Sequence, residues 1–218
     1  MIGEGATMVN SGRTDRSSRI TQRKSGTWGT TSQDLLFVAV RLYRLSRDES
    51  SSRPDKNSSR LVYAGIPLLL AAAHSFAIEY EGILNSGPVP AELSVDSLVK
   101  IMDNRYGVSG CLLQDLQDLV EIRNEIIHPV PLPAGTPDNW PDYLRRVKKK
   151  ELLTTTGDPN ADYILLAQIA SHKLFAWAVE VTKCLYSAII NSNPAKMPMF
   201  LPLLDNLKNL FGEQKAAK

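Results

Sequence analysis

One segment restricts the fold of this chain more than any other, because no Asp, Glu, Lys or Arg occurs from Leu61 to Ile78. The segment is at the lower length limit of a membrane-spanning helix, but it contains Pro67 and His74 and has no basic residue directly after its carboxyl end. We therefore predict a buried core helix over about residues 67–86, with Pro67 in its first turn and a Gly-Pro pair after its last turn. This prediction places the protein outside the membrane.

The rest of the chain shows helical periods and no strand alternation. The longest apolar stripe, with steps of mostly three or four residues, predicts a helix over 158–190 that forms the spine of a bundle. The other predicted helices cover residues 33–46, 94–103 and 111–127 and, in a C-terminal tail over 192–218, residues 198–211. The sequence thus predicts an all-α bundle of about five helices over residues 33–191.

The net charge of +2 hides an uneven distribution. Residues 1–60 contain 11 Lys and Arg against 6 Asp and Glu, whereas residues 61–218 contain 14 against 17. Residues 1–32 are rich in Ser, Thr, Gly and Arg and show no apolar period, so we predict a flexible basic arm. Such an arm is either a solvated terminus or a segment that contacts phosphates.

The chain offers few residues for metal or cofactor chemistry. Its two cysteines and three histidines show no zinc-ligand spacing and cannot form a disulfide scaffold. A Gly-rich phosphate loop, a serine-hydrolase motif and an acidic cluster for two metals are also missing from the sequence. We predict no metal and no cofactor, and reduced cysteines favour a cytoplasmic location.

Two charged residues fall on the apolar faces of predicted helices. Arg123 lies in the middle of the apolar face of the helix over 111–127, and Glu79 lies inside the apolar stripe of the preceding core helix. An unpaired guanidinium in an apolar environment costs several kcal/mol, so Arg123 needs a carboxylate, a dimer partner or a wet cleft. The simplest hypothesis is that Glu79 and Arg123 pair across packed helices, either structurally or as part of a site.

His128 follows Asn124 by four residues and precedes Pro129, which disfavours helix at His128. The histidine therefore lies at the carboxyl end of its helix, where the helix dipole favours the protonated imidazole. A histidine beside an arginine suits proton transfer at a phosphate, because the cation stabilises developing negative charge. The alternative is a histidine that only caps the helix.

The segment from Arg123 to His128, RNEIIH, resembles the signature of the HEPN superfamily, an arginine, a polar residue and a histidine after four to six intervening positions. Its context also matches that family, since an apolar helix with an internal glutamate precedes the motif and a long helix follows. The resemblance covers about residues 33–191. It implies a metal-independent endoribonuclease that works as a homodimer, with the motifs of both protomers facing one cleft.

In this resemblance His128 is the general acid and base for attack of the ribose 2′-OH on the adjacent phosphate. Arg123 binds the phosphate and the charge of the transition state, and Asn124 orients the histidine or the RNA. The 2′-OH requirement restricts the chemistry to RNA. The family also contains members without nuclease activity, so the alternative is a non-catalytic module that binds RNA, a nucleotide or a protein partner.

A run of basic residues in the proline-rich connection over 129–158 is a candidate for further RNA contacts. Its members are Arg145, Arg146, Lys148, Lys149 and Lys150. Such a run is otherwise a solvated surface. The expected role is in stress response or defence, with RNA as substrate and an antitoxin-like protein as a partner to consider. A third interpretation is a helical interaction protein in which Arg123 and Glu79 are purely structural.

Overall fold

The computed structural model describes residues 31–85, 95, 97–129, 140–154 and 165–193, and residues 203, 206, 207, 209 and 211 near the carboxyl end. The predicted basic arm therefore lies outside the described residues up to residue 30. The described part of the chain is helical, with no strand, and the predicted all-α class is confirmed. Its named helices are α1 (Thr31–Ser52), α2 (Val62–Asn85), α3 (Ser97–Tyr106), α4 (Gly110–Ile127), α5 (Asp142–Lys149), α6 (Leu165–Ile169) and α7 (His172–Ser192).

Helix α2 is the centre of the bundle and packs mainly against α1 and α7. Its side chains are buried along most of its length, which confirms the predicted core helix. It begins at Val62 rather than Pro67, because Val62 and Ile66 are completely buried and their packing favours helix despite the missing N–H of the proline. By length and composition the window Val62–Gly82 could cross a membrane, but 56% of it is buried inside the protein.

The contact between α2 and α7 depends on Gly65. A Cβ atom at this position would lie 2.0 Å from Cζ of Phe175, so only glycine allows the ring to pack against the backbone of α2. The ring is completely buried and meets Tyr43 of α1 edge-on, with 5.4 Å between ring centroids. The Phe175 side chain of α7 thus contacts both α1 and α2.

Helix α1 continues to Ser52, so the predicted end of this helix at residue 46 is wrong. The serine hydroxyls of this segment donate hydrogen bonds to a carbonyl of the helix, and the helix continues through these residues. The Ser50 and Ser51 hydroxyls donate hydrogen bonds of 2.9 and 2.8 Å to the carbonyl of Arg47. Ser50 is also buried, so a polar sequence here forms part of the packed surface.

The predicted spine helix over 158–190 is divided in two, and residues 155–164 lie outside the described residues. The division occurs at Ser171, whose backbone is extended and forms an isolated antiparallel bridge with Ser58. The Ser171 hydroxyl accepts the N–H of Leu174 at 3.2 Å and so caps α7. Asn57 donates from Nδ2 to the same hydroxyl at 3.0 Å, which fixes the segment before α2 to this break.

The described residues between 203 and 211 are helical, in agreement with the helix predicted near the carboxyl end. Leu207 and Phe211 are buried against the bundle. The Phe211 ring contacts Tyr43 with 5.7 Å between ring centroids. Phe211 therefore packs on α1, and both Leu207 and Phe211 contribute to the same core.

Candidate functional site

The candidate site occupies the last turn of α4. This helix follows a bend in which Gly107 and Gly110 have positive φ angles of 63° and 61°. It is buried through Leu116, Leu119 and Ile122, and its carboxyl end emerges from the bundle. Accordingly the side chain of Ile127 is 41% exposed.

Arg123, Asn124 and His128 come together in this turn. The Arg123 guanidinium donates from Nη1 to Oδ1 of Asn124 at 2.8 Å. The backbone carbonyl of Asn124 accepts the N–H of His128 at 2.7 Å, and His128 ends the helix as its C-cap. Asn124 therefore connects the cation and the histidine through its side chain and its backbone. His128 is exposed and Arg123 is partly exposed, so both are accessible to a ligand.

The ion pair predicted between Glu79 and Arg123 is absent from the part of the chain that the structure describes. Glu79 instead accepts two hydrogen bonds from Ser32, from the backbone N–H at 3.3 Å and from the hydroxyl at 2.5 Å. The physical reason is that α1 begins at Thr31, which places the buried Ser32 directly against α2. The prediction failed because Ser32 was assigned to the flexible arm over residues 1–32.

The predicted basic loop is also wrong in its structure, since residues 142–149 form helix α5. Arg146 is bound to Asp118 of α4, with Nη2 2.6 Å from Oδ1 and Nε 3.1 Å from both carboxylate oxygens. Asp118 is completely buried, and Gln114 donates a further hydrogen bond to it at 3.1 Å. Arg146 therefore stabilises a buried carboxylate and holds α5 against α4.

Most of the other basic side chains of this run also contact the protein. Lys150 pairs with Asp115 and lies over the ring of Trp177, 4.9 Å from its centroid. Lys148 lies over Trp140 at the same distance. Arg145 pairs with Asp142 on the surface, whereas Lys149 is exposed and has no ion pair among the described residues.

Tyr143 connects α5 to the candidate site. Its hydroxyl donates to Oε1 of Glu125 at 2.8 Å, one residue after Asn124. Burial raises the pKa of Tyr143, and the hydrogen bond to Glu125 raises it further, so the hydroxyl remains a donor at neutral pH. Tyr143 is not among the residues predicted for the site from the sequence. The apolar spacing of Tyr143, Leu144 and Val147 was a signal for α5 that the many charges concealed.

Within the described ranges, no group of three or more His, Cys, Asp or Glu residues could hold a metal ion. Family models, curated protein sequences and solved structures all fail to show a significant match to this chain. The resemblance to HEPN proteins therefore depends on the motif and its helical context.

Proposed function

We propose that this chain is an HEPN-like ribonuclease that binds RNA at the last turn of α4 and cleaves it without a metal ion. The observation that carries the proposal is the arrangement of the motif, in which Asn124 holds Arg123 and His128 on one exposed helix end. A cation and an accessible imidazole within six consecutive residues at one helix end suit the recognition and cleavage of a phosphodiester.

In the proposed reaction the imidazole of His128 accepts the proton of the ribose 2′-OH. The 2′ oxygen then attacks phosphorus and the bond to the 5′ oxygen breaks, which leaves a 2′,3′-cyclic phosphate and a 5′-hydroxyl product. The leaving oxygen takes a proton from an imidazolium, and Arg123 stabilises the charge on the phosphoryl oxygens. Asn124 keeps the guanidinium in position, so its role is to orient Arg123.

One histidine cannot accept and donate a proton on opposite sides of phosphorus at the same time, so the proposal includes a homodimer with two copies of the motif. The exposed side chain of Ile127 supports this part of the proposal, because it lies within the motif at an exposed helix end. A second copy that covers Ile127 would place both motifs in one cleft. The carboxyl end of α4 is thus the proposed dimer contact.

The second candidate function is a non-catalytic module that binds RNA or a protein partner. Its protein-binding form is favoured by the ion pairs of α5, since Arg146 and Lys150 bind carboxylates of α4 and leave few cations for RNA. In the ribonuclease proposal the contribution of α5 to RNA binding comes mainly from Lys149. Both functions use the same helix end, and an activity measurement separates them.

The test is incubation of the purified chain with mixed RNA in the presence of EDTA, together with the variants His128→Ala and Arg123→Ala. Gln117→Ala is a matched control, because Gln117 is an exposed residue of the same helix outside the motif. Cleavage that resists the chelator, persists in Gln117→Ala and is lost in both motif variants supports the ribonuclease. Intact RNA with every folded protein refutes it and leaves the binding module.

A further inference from the structure

A cavity of about 430 Å³ lies on another part of the bundle, between the end of α1, the start of α2 and α6. Arg53 and Arg60 line its polar side, and Tyr63, Leu166, Ala167 and Ala170 line its apolar side. None of these residues belongs to the motif on α4. The volume is within the range of roughly 300–1,000 Å³ that is typical of small-molecule sites.

The polar side of the cavity carries two guanidinium groups, and the carboxylate of Glu49 lies close enough to interact with both charges. Arg53 is paired with Glu49, with 2.9 Å between Nη2 and Oε1, and the hydroxyl of Ser59 donates to the other oxygen of Glu49 at 2.7 Å. Arg60 is exposed and pairs with no carboxylate in the described ranges. A guanidinium group carries five N–H donors and no acceptor, so this side of the cavity suits an anion.

The hydroxyl groups of the polar side are already committed as donors. Ser58 donates to Asp55, and Ser59 donates to Glu49 as described above. The donors that remain for a ligand are therefore guanidinium N–H groups, which match the oxygens of a phosphate in geometry and charge. The amino end of α2, two residues after Arg60, adds a favourable potential for the same anion.

The apolar side of the cavity has a fixed shape. The hydroxyl of Tyr63 donates to the carbonyl of Leu166 and so joins α2 to α6. Ala170 is buried beside the break between α6 and α7, and Leu166 and Ala167 are partly exposed to the cavity side of α6. This wall can pack against a ring or a short alkyl group but offers no charge.

We propose that this cavity binds a small organic molecule that carries a terminal phosphate group. Arg60, with the remaining N–H groups of Arg53, binds the phosphate, and the organic part packs against Tyr63 and the side chains of α6. The site is separate from the proposed ribonuclease function, and either can exist without the other.

The test is isothermal titration calorimetry of the full chain with phenyl phosphate, which combines a phosphate dianion with an apolar ring. We expect phenyl phosphate to bind at least about tenfold more tightly than phenol or inorganic phosphate, because each of these lacks one half of the contacts. Arg60→Gln should weaken phenyl phosphate at least about tenfold. Arg41→Gln is the matched control, an exposed arginine of α1 outside the cavity, and should leave the affinity unchanged.

A second variant tests the apolar wall without a change of charge. Ala167→Phe would occupy the cavity from α6 and should abolish binding of phenyl phosphate, while circular dichroism should show the parent helix content. The proposal is overturned if phenyl phosphate does not bind at millimolar concentration, or if Arg60→Gln and Arg41→Gln behave alike. Displacement of phenyl phosphate by single-stranded RNA, dependent on Arg60, would also overturn it by assigning the cavity to RNA.

Discussion

Substitution of Gly65 by alanine tests the closest packing contact in the bundle. The added Cβ would lie 2.0, 2.5 and 2.7 Å from three atoms of the Phe175 ring. Carbon atoms pack at about 3.5–4.0 Å, so the ring or the helix would have to move by about 1.5 Å. The ring has no solvent-filled space to enter, because Phe175 is completely buried and contacts Tyr43 on α1.

The expected change in stability is the difference between two effects. Alanine is favoured over glycine inside a helix by about 1 kcal/mol, so the substitution would stabilise an open helical position. Overpacking of a core costs about 1–3 kcal/mol, and a displacement of this size in a completely buried contact belongs at the upper end. The net result should be a loss of about 2 kcal/mol in the free energy of unfolding.

Urea denaturation followed by circular dichroism measures this change through the midpoint and slope of the transition. Phe175→Leu provides the second corner of a double-mutant cycle, since a smaller side chain makes room for the new methyl group. The double variant Gly65→Ala/Phe175→Leu should then lose less stability than the sum of the single variants. A Gly65→Ala protein as stable as the parent, or more stable, would refute the close approach of α2 and α7.

Three further predictions concern ionisable or polar groups in the core. Arg146→Met leaves the buried Asp118 without its partner and should cost about 2–3 kcal/mol of unfolding free energy, below the value for a fully buried pair because the Arg146 side chain is 39% exposed. Lys149→Met is its control in thermal melts, and equal stability of the two variants would exclude a structural role for Arg146. The Tyr186 hydroxyl is buried with no hydrogen-bond partner in the structure, so Tyr186→Phe should raise the unfolding free energy by about 1 kcal/mol, and a destabilised variant would contradict this. Burial, with a smaller contribution from a nearby arginine, lowers the pKa of His172, so the unfolded chain binds a proton first and stability should fall as the pH decreases below about 6.5. Urea midpoints across this range should depend less on pH in His172→Gln, and an identical dependence would show that another group is responsible.

The sequence predicted the helical class and the core helix because both depend on local apolar periodicity. The same periodicity could not locate the break at Ser171, since that residue leaves the helix only where Ser58 and Asn57 provide partners from a distant part of the chain. A serine in an apolar helical pattern is compatible with a continuous helix until those partners are known.

The pairing of charges was harder to predict than the position of the motif. A pair between Glu79 and Arg123 was predicted because each is a charged residue on the apolar face of its helix, but Glu79 accepts hydrogen bonds from Ser32, an uncharged residue at the start of α1. Arg146 was predicted to contact RNA or to lie on a solvated surface, but it binds the completely buried Asp118 of α4. Complementary charges on a helical wheel do not reveal which polar residues a neighbouring helix will cover. The motif itself was predictable because it lies within six consecutive residues.

Two contacts between α5 and α4 affect how easily the candidate site unfolds locally. Arg146 binds Asp118, and Tyr143 binds Glu125. The two acidic residues are two turns apart along α4, so α5 stabilises the end of that helix. Opening of the last turns, and hence hydrogen exchange at the amide of His128, should then require detachment of α5 rather than simple fraying from the helix end. A molecule that pulled α5 away would disorder the motif without touching Arg123, Asn124 or His128.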